Sequence, residues 1–180
     1  MPLTLAAVLL GVELCSPLVV RQTCHIQNAV HTFYGFPDND PPGAAISYDC
    51  GRGQTAGGAG TFNDPLTFAS APGEFQVCET IYNPYLRKYL RMEDYCATCN
   101  QDWGIGIWHI DVWTGSTTVN GGNDQLNCEV KLTPTPQQKP IVRNPGPNLP
   151  VDNTPLYVIT NNSVCNVGNI FSNYAAESFC

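Results

Sequence analysis

Between Trp108 and Gly115, in the stretch WHIDVWTG, apolar Trp108, Ile110 and Val112 alternate with His109, Asp111 and Trp113. Successive side chains of a strand point to opposite faces, so this period-two pattern predicts a strand whose aliphatic set faces a core. His109, Asp111 and Trp113 would then share the other face: an acid between an imidazole and an indole. HTFYGF (31–36), DPLTFAS (64–70) and FQVCETIYN (75–83) also read as short strands, rich in aromatic and β-branched residues and bounded by Gly, Pro, Asn and Asp. LRKYLRMEDYC (86–96) fits two patterns. Leu86, Tyr89 and Leu90 suit a helical stripe, while a turn near Asn83-Pro84 makes the same residues part of a hairpin. Several short strands separated by Gly/Pro turns predict an all-β barrel or sandwich.

Proline divides the chain. After Leu132, seven prolines fall between Thr133 and Pro155. So dense a run predicts an extended linker or strap rather than a helix or central strand. The expected organisation is a leader over 1–20, a barrel over 24–132, a Pro-rich linker over 133–155 and a tail over 156–180. No internal repeat is visible.

Composition narrows the possible partners. Only 13% of the 180 residues are charged and the net charge is −7 with eight basic residues. Nucleic acid, which binds through a basic stripe, is excluded as an expected partner. With 16 Gly and 15 Pro the chain is turn-rich, and its three Trp, eight Tyr and seven Phe suit stacking on the apolar faces of sugar rings. The apolar run Leu3–Val12 has the length of a signal-peptide core and falls short of a membrane span. Nine cysteines become eight once a leader carrying Cys15 is removed: Cys24, Cys50, Cys78, Cys96, Cys99, Cys128, Cys165 and Cys180. Secretion and a disulfide framework explain each other, and an extracellular monomer with no membrane attachment is expected. The simplest arrangement is three bridges among the six core cysteines and one closing the tail, with Cys96 and Cys99 each reaching a distant partner. Asn161 opens a glycosylation sequon, N-N-S.

The chemical motifs are few. The Gly-rich GRGQTAGGAG (51–60) lacks the lysine of a phosphate loop and reads as a surface loop closing a groove. Cys96 and Cys99 lack a second ligand pair for zinc, and no metal or cofactor is expected. A nucleophile elbow is absent. Paired carboxylates are the better enzymatic hypothesis, since cleaving a glycosidic bond needs a protonated acid and usually a second carboxylate. Asp111 beside Trp113 is the leading acid and Asp94 a second. Asp38 and Asp40, in PDNDPPG, read as turn residues.

The order of motifs adds a resemblance. HTFYGFPDNDPPGAAISYDCG resembles the opening TYYG strand, Gly/Asp loop and Cys-Gly of the double-psi β-barrel superfamily. RMEDYCATC resembles the V-x-D-x-C-x-x-C segment of expansins, and HIDVWTG their HFDLS strand. The resemblance covers about Cys24 to Cys128 and extends to small fungal secreted proteins of this barrel type. It implies a six-stranded, pseudo-two-fold, disulfide-stabilised barrel with an open groove. It also implies an expansin- or loosenin-like protein that binds cell-wall polysaccharide without hydrolysis. Thr32, Tyr34, His109 and Trp113 would contact the glycan, with Asp94 and Asp111 at the centre. Two alternatives stand beside this: a family 45 endoglucanase-like or rare lipoprotein A-like lytic enzyme with Asp111 as general acid, and a protein-binding effector or defence protein. The endoglucanases' second catalytic Asp, between a Trp and a double Cys, has no counterpart here, which tilts the expectation from hydrolase to binder.

Overall fold

A computed structural model describes residues 23–159 and 162–180. The expected leader, Cys15 and Asn161 lie outside the described residues. The architecture is all-β. Six strands, β1 (His25–Gly35), β2 (Leu66–Ser70), β3 (Thr80–Asn83), β4 (Lys88–Tyr95), β5 (His109–Thr114) and β6 (Gln138–Arg143), close into a barrel in the order β1-β5-β2-β4-β3-β6. β1 runs parallel to β5 and β2 parallel to β4, and the other four pairings are antiparallel. Exchanging the first three strands with the last three leaves the order and sense of all six pairings unchanged. The barrel therefore has the connectivity of two equivalent halves.

The register lays apolar residues in rows. Phe33 stands opposite Val112, Val112 opposite Phe68, and Phe68 opposite Met92. Residues directly opposed on neighbouring strands share a face, so one buried row crosses four strands. The stretch with two readings is a hairpin. β3 and β4 pair from Asn83↔Lys88 outward. The turn between them is set by Pro84 and by Arg87 in the left-handed region (φ 49°). Asn83 Oδ1 accepts the Leu86 N–H at 3.3 Å across the turn.

The proline run is not a linker throughout. Its one segment with a single proline, QKPIVR, is β6, which pairs with β1 and β3 and closes the barrel. A barrel ending at Leu132 would lack that strand. Two helices also interrupt the strands: α1 (Ala97–Trp103) and α2 (Gly122–Leu132). The buried stripe of α2 is Gln125, Cys128, Glu129 and Leu132, at the i, i+3, i+4, i+7 spacing of one helix face. Two of the four are polar, so hydrophobic periodicity does not reveal the helix. Asp124 in its first turn and Lys131 in its last complement the helix dipole. The helix presses on the end of β1, where a Cβ at Gly35 would lie 1.8 Å from Gln125 Nε2. A short hairpin, β7 (Tyr157–Val158) with β8 (Val164–Cys165), ends the strands.

Four disulfides form, differently from the expected division. The tail does not close on itself: Cys24 joins Cys180 and Cys128 joins Cys165, so both tail cysteines fasten to the barrel region. Cys50 joins Cys78. Cys96 and Cys99 join each other rather than distant partners, because the helix that starts after Cys96 brings their Cα atoms to 5.2 Å. The four bridges fit an oxidising compartment. Among the described residues no helix is long and apolar enough to cross a membrane.

Loop length ranks the bridges. Cys24–Cys180 spans 156 residues and Cys96–Cys99 only three. In the chain-entropy account the first contributes about 5 kcal/mol and the second about 2 kcal/mol. Paired Cys→Ser variants compared by denaturant unfolding are expected to lose stability in that order.

Candidate functional site

The site is a row of residues crossing four strands. Thr32 on β1 pairs with Asp111 on β5, Asp111 with Ala69 on β2, and Ala69 with Asp94 on β4. All four therefore share one face. Asp111 and Asp94 stand two strand spacings apart, about 9.5 Å between Cα atoms, with the Ala69 methyl between them. Asp94 reaches this face through an irregularity. Phe68 pairs with Met92 and Ala69 with Asp94, so Glu93 is skipped on β4. A bulge of this kind re-aims the following side chain. Glu93 itself is buried and held by Arg91 Nη2 at 2.6 Å and by the Thr67 hydroxyl at 2.6 Å.

Above the row lies an open groove of about 590 Å³. Asp94, Asp111 and Ala69 line it with Tyr34, the 38–41 loop, Ala45–Ser47 and the Tyr95–Thr98 turn. Asp94 is fully engaged. Its Oδ1 accepts Ser47 N–H (2.9 Å), Ser47 O–H (2.8 Å) and Tyr95 N–H (2.8 Å), and its Oδ2 accepts the Tyr34 hydroxyl (2.9 Å). Burial and the Asp94 carboxylate hold the Tyr34 phenol well above its ordinary range, so it remains a donor. Asp94 thus braces the groove, and its oxygens are occupied.

Asp111 differs. Burial raises its carboxyl to about 7, with a smaller push from Asp38 and Asp94. Its bond to Thr32 acts the other way. Thr32 Oγ1 lies 2.7 Å from Asp111 Oδ1 and 2.9 Å from His109 Nε2, and His109 Nδ1 lies 2.8 Å from Asp102 Oδ2. Two proton arrangements satisfy this chain. In one, imidazolium His109 donates to both Asp102 and Thr32, and Thr32 donates to the Asp111 carboxylate. In the other, protonated Asp111 donates to Thr32, Thr32 donates to Nε2, and Nδ1–H donates to Asp102. Both hold the same number of protons, so a proton can pass between His109 and Asp111 through the Thr32 hydroxyl. Burial lowers the affinity of His109 for a proton and raises that of Asp111, and both shifts favour the second arrangement. In it the groove presents a neutral carboxylic acid.

The expected residues are not all gathered. Thr32, Tyr34, Asp94 and Asp111 come together. His109 is buried and acts through Thr32, its backbone N–H bonded to the buried Glu74. Trp113, expected on the groove surface, is 1% exposed. It packs edge-on to Tyr34, 5.3 Å between ring centroids, and faces away from the groove lining. Alternation placed it opposite the aliphatic set, but in this barrel both faces of β5 are covered at that point. Two contributors, Tyr95 and Asp102, escaped the sequence, and a third, Asp38, was read only as a turn residue. Tyr95, 46% exposed, stands on the groove wall beside Asp94. Asp38 does accept the Gly35 N–H as a turn residue, at 2.8 Å, and also lines the groove. Asp102 orients His109. Among the described residues no cluster of His, Cys, Asp and Glu could hold a metal ion.

Fold and site define an all-β barrel with a buried acid, Asp111, in an open groove. The chain belongs to the family of the DDB_G0273701 N-terminal domain, whose model matches residues 26–166. It is similar to the uncharacterized protein DDB_G0273701/DDB_G0273221 of Dictyostelium discoideum, 39% identical over 103 residues. That stretch is 57% of this chain and 44% of the relative, so the match spans less than half of the relative's length. No solved structure matches the chain.

The raised Asp111 has a sign that can be tested. The folded state holds its proton to about pH 7, while an unfolded aspartate releases it near 4. Its contribution to stability is therefore full in acid and is lost as pH rises through that window. Asp111→Asn should match wild type near pH 3 and exceed it by about 4 kcal/mol above neutrality, read by urea unfolding across pH. Thr32→Val removes the bond that favours the carboxylate, and should move the Asp111 carboxyl midpoint, followed by carbon-13 NMR, further upward.

Proposed function

We propose that this barrel is of the double-psi type and binds cell-wall polysaccharide in its groove, outside the cell and as a monomer, without hydrolysis. The unchanged pairing pattern on exchange of the two halves supports the double-psi reading. The four disulfides favour secretion. The observation that carries the binding reading is the division of labour in the row. Asp94 has both oxygens bonded to donors of the barrel, while Asp111, neutral and bonded to Thr32 through Oδ1, keeps Oδ2 without a hydrogen-bond partner among the described residues and open to a sugar hydroxyl. An inverting hydrolase needs a second carboxylate free to activate water; Asp94 is engaged, and the other carboxylates lining the groove, Asp38 and Asp40, lie in its Pro-rich turn. Tyr95 supplies the exposed ring on which a pyranose can stack.

The raised Asp111 favours one second reading, cleavage by a single acid that protonates the leaving oxygen and regains a proton from the attacking sugar hydroxyl, as in a lytic transglycosylase-like reaction. One experiment separates them. Wild type, Tyr95→Ala and Asp111→Asn are tested for pull-down on insoluble cellulose, chitin and peptidoglycan, and for release of soluble sugar ends. Binding without release, weakened about tenfold or more in both variants, is the expected result. Release by wild type that Asp111→Asn abolishes would establish cleavage instead. Absence of all glycan binding, with capture of a defined protein partner, would replace both readings.

A further inference from the structure

A second cavity, of about 310 Å³, shares no lining residue with the groove. Tyr34 lines the groove and Trp113, packed edge-on against it, lines this cavity, so the ring pair forms the partition. Its other walls are the Gly57–Ala59 loop, Leu66, Lys88, the turn after β5 with Thr114, Gly115 and Thr117, and Asn153, Pro155 and Leu156 at the end of the strap. Only glycine serves in the loop. Gly58 has φ 100°, and a Cβ there would lie 2.0 Å from the Pro65 carbonyl oxygen. The glycine-rich stretch thus has a role that a plain surface loop does not require.

Two buried groups of this cavity, Lys88 and the Trp113 indole, are donors only. Lys88 is 3% exposed, its stem running beneath Gly60, where a Cβ would meet Lys88 Cγ at 2.8 Å. Its ammonium donates to the Asp152 carbonyl oxygen. Among the described residues it makes no ion pair with a carboxylate. The Asp152 carboxylate is turned to Asn169 and to the Thr154 N–H. Burial lowers Lys88 to about 8, which leaves it charged at neutral pH. The indole N–H of Trp113 is buried with no acceptor among the described residues. A buried cation and a buried donor each call for an acceptor, and the remaining walls are largely apolar.

We propose that this cavity binds a small organic carboxylate, its oxygens bonded by Lys88 and Trp113 and its body lodged against Leu66, Pro155 and Leu156. The volume is at the lower end for small-molecule sites. The same chemistry is met in a free acid and in a uronate residue of a polymer.

The test follows the three tryptophan indole N–H signals (Trp103, Trp108, Trp113) by nitrogen-15 NMR on the full chain, with Trp113→Phe for assignment. Benzoate and free galacturonate are the probes, with oligogalacturonide as the polymer arm and benzamide as the neutral control. A saturable shift of the Trp113 signal with a carboxylate but not with benzamide is expected. It should weaken about tenfold or more in Lys88→Met and persist in Asp111→Asn, so its outcome is independent of the groove. Response to the free acids alone assigns a free ligand, and response to the oligomer assigns a uronate. No saturable shift with any carboxylate, or an equal response to benzamide, overturns the proposal even where Lys88→Met fails to fold.

Discussion

Parallel pairing of β1 with β5 and of β2 with β4 is the constraint from which the rest follows. These pairings set β5 between β1 and β2, and β2 between β4 and β5, so no tight turn can join either consecutive pair, and the chain leaves the barrel after β1 and again after β4. It returns only after the 36–65 excursion and after α1. Those excursions become the groove walls. The pairings themselves fix which residues meet: Thr32 with Asp111, and Ala69 with Asp94. A one-residue slip in either would turn an acid to the opposite face. The chemistry of Asp111 is therefore a matter of register. Its raised proton affinity comes from burial in a row whose other members are a hydroxyl, a methyl and an acid already saturated with donors.

Much of this was legible in the chain. β1, β2 and β5 carry aromatic and β-branched residues between turn formers, and the structure has strands there. Motif order singled out Thr32, Asp94 and Asp111, and they share a face. The losses have physical causes. β6 hides among prolines because Pro140 sits within a strand that its neighbours hold on both sides. α2 hides because half of its buried stripe is polar, with Gln125 and Glu129 both bonded to Thr114. Trp113 was misplaced because period two separates faces but does not say whether the second is wet. Tyr95 and the aim of Asp94 depend on the skipped Glu93, a pairing irregularity that residue types do not announce. Disulfide partners depend on the path of the tail, and there the even count of cysteines carried no information.

Polar burial is unusually central to how the barrel is finished. The Thr114 hydroxyl at the end of β5 donates to the Tyr34 carbonyl and accepts from the protonated Glu129 carboxyl, and the Thr114 carbonyl accepts from Gln125. A small set of satisfied bonds thereby seats α2 on the end of β1. Burial, with Asp38 adding to it, holds Glu129 at about 8, so this carboxyl stays protonated near neutrality and its interface with the barrel remains uncharged. The helix thus attaches by a polar lock where a more apolar sequence would use a stripe of leucines.

Ala69 has a consequence of its own. The exchange that relates the two halves maps β2 onto β5, and it maps the row Thr32–Asp111–Ala69–Asp94 onto itself reversed. Asp111 and Ala69 are then counterparts, one bearing an acid and the other a methyl. A groove that symmetry would have made identical from either end is instead polar in direction. A linear chain laid along it meets acid and methyl in one order when entering head first and in the opposite order tail first. The direction rests on two mismatched pairs, Asp111 against Ala69 and Asp94 against Thr32, so Ala69→Asp alone would leave the row distinct from its reverse.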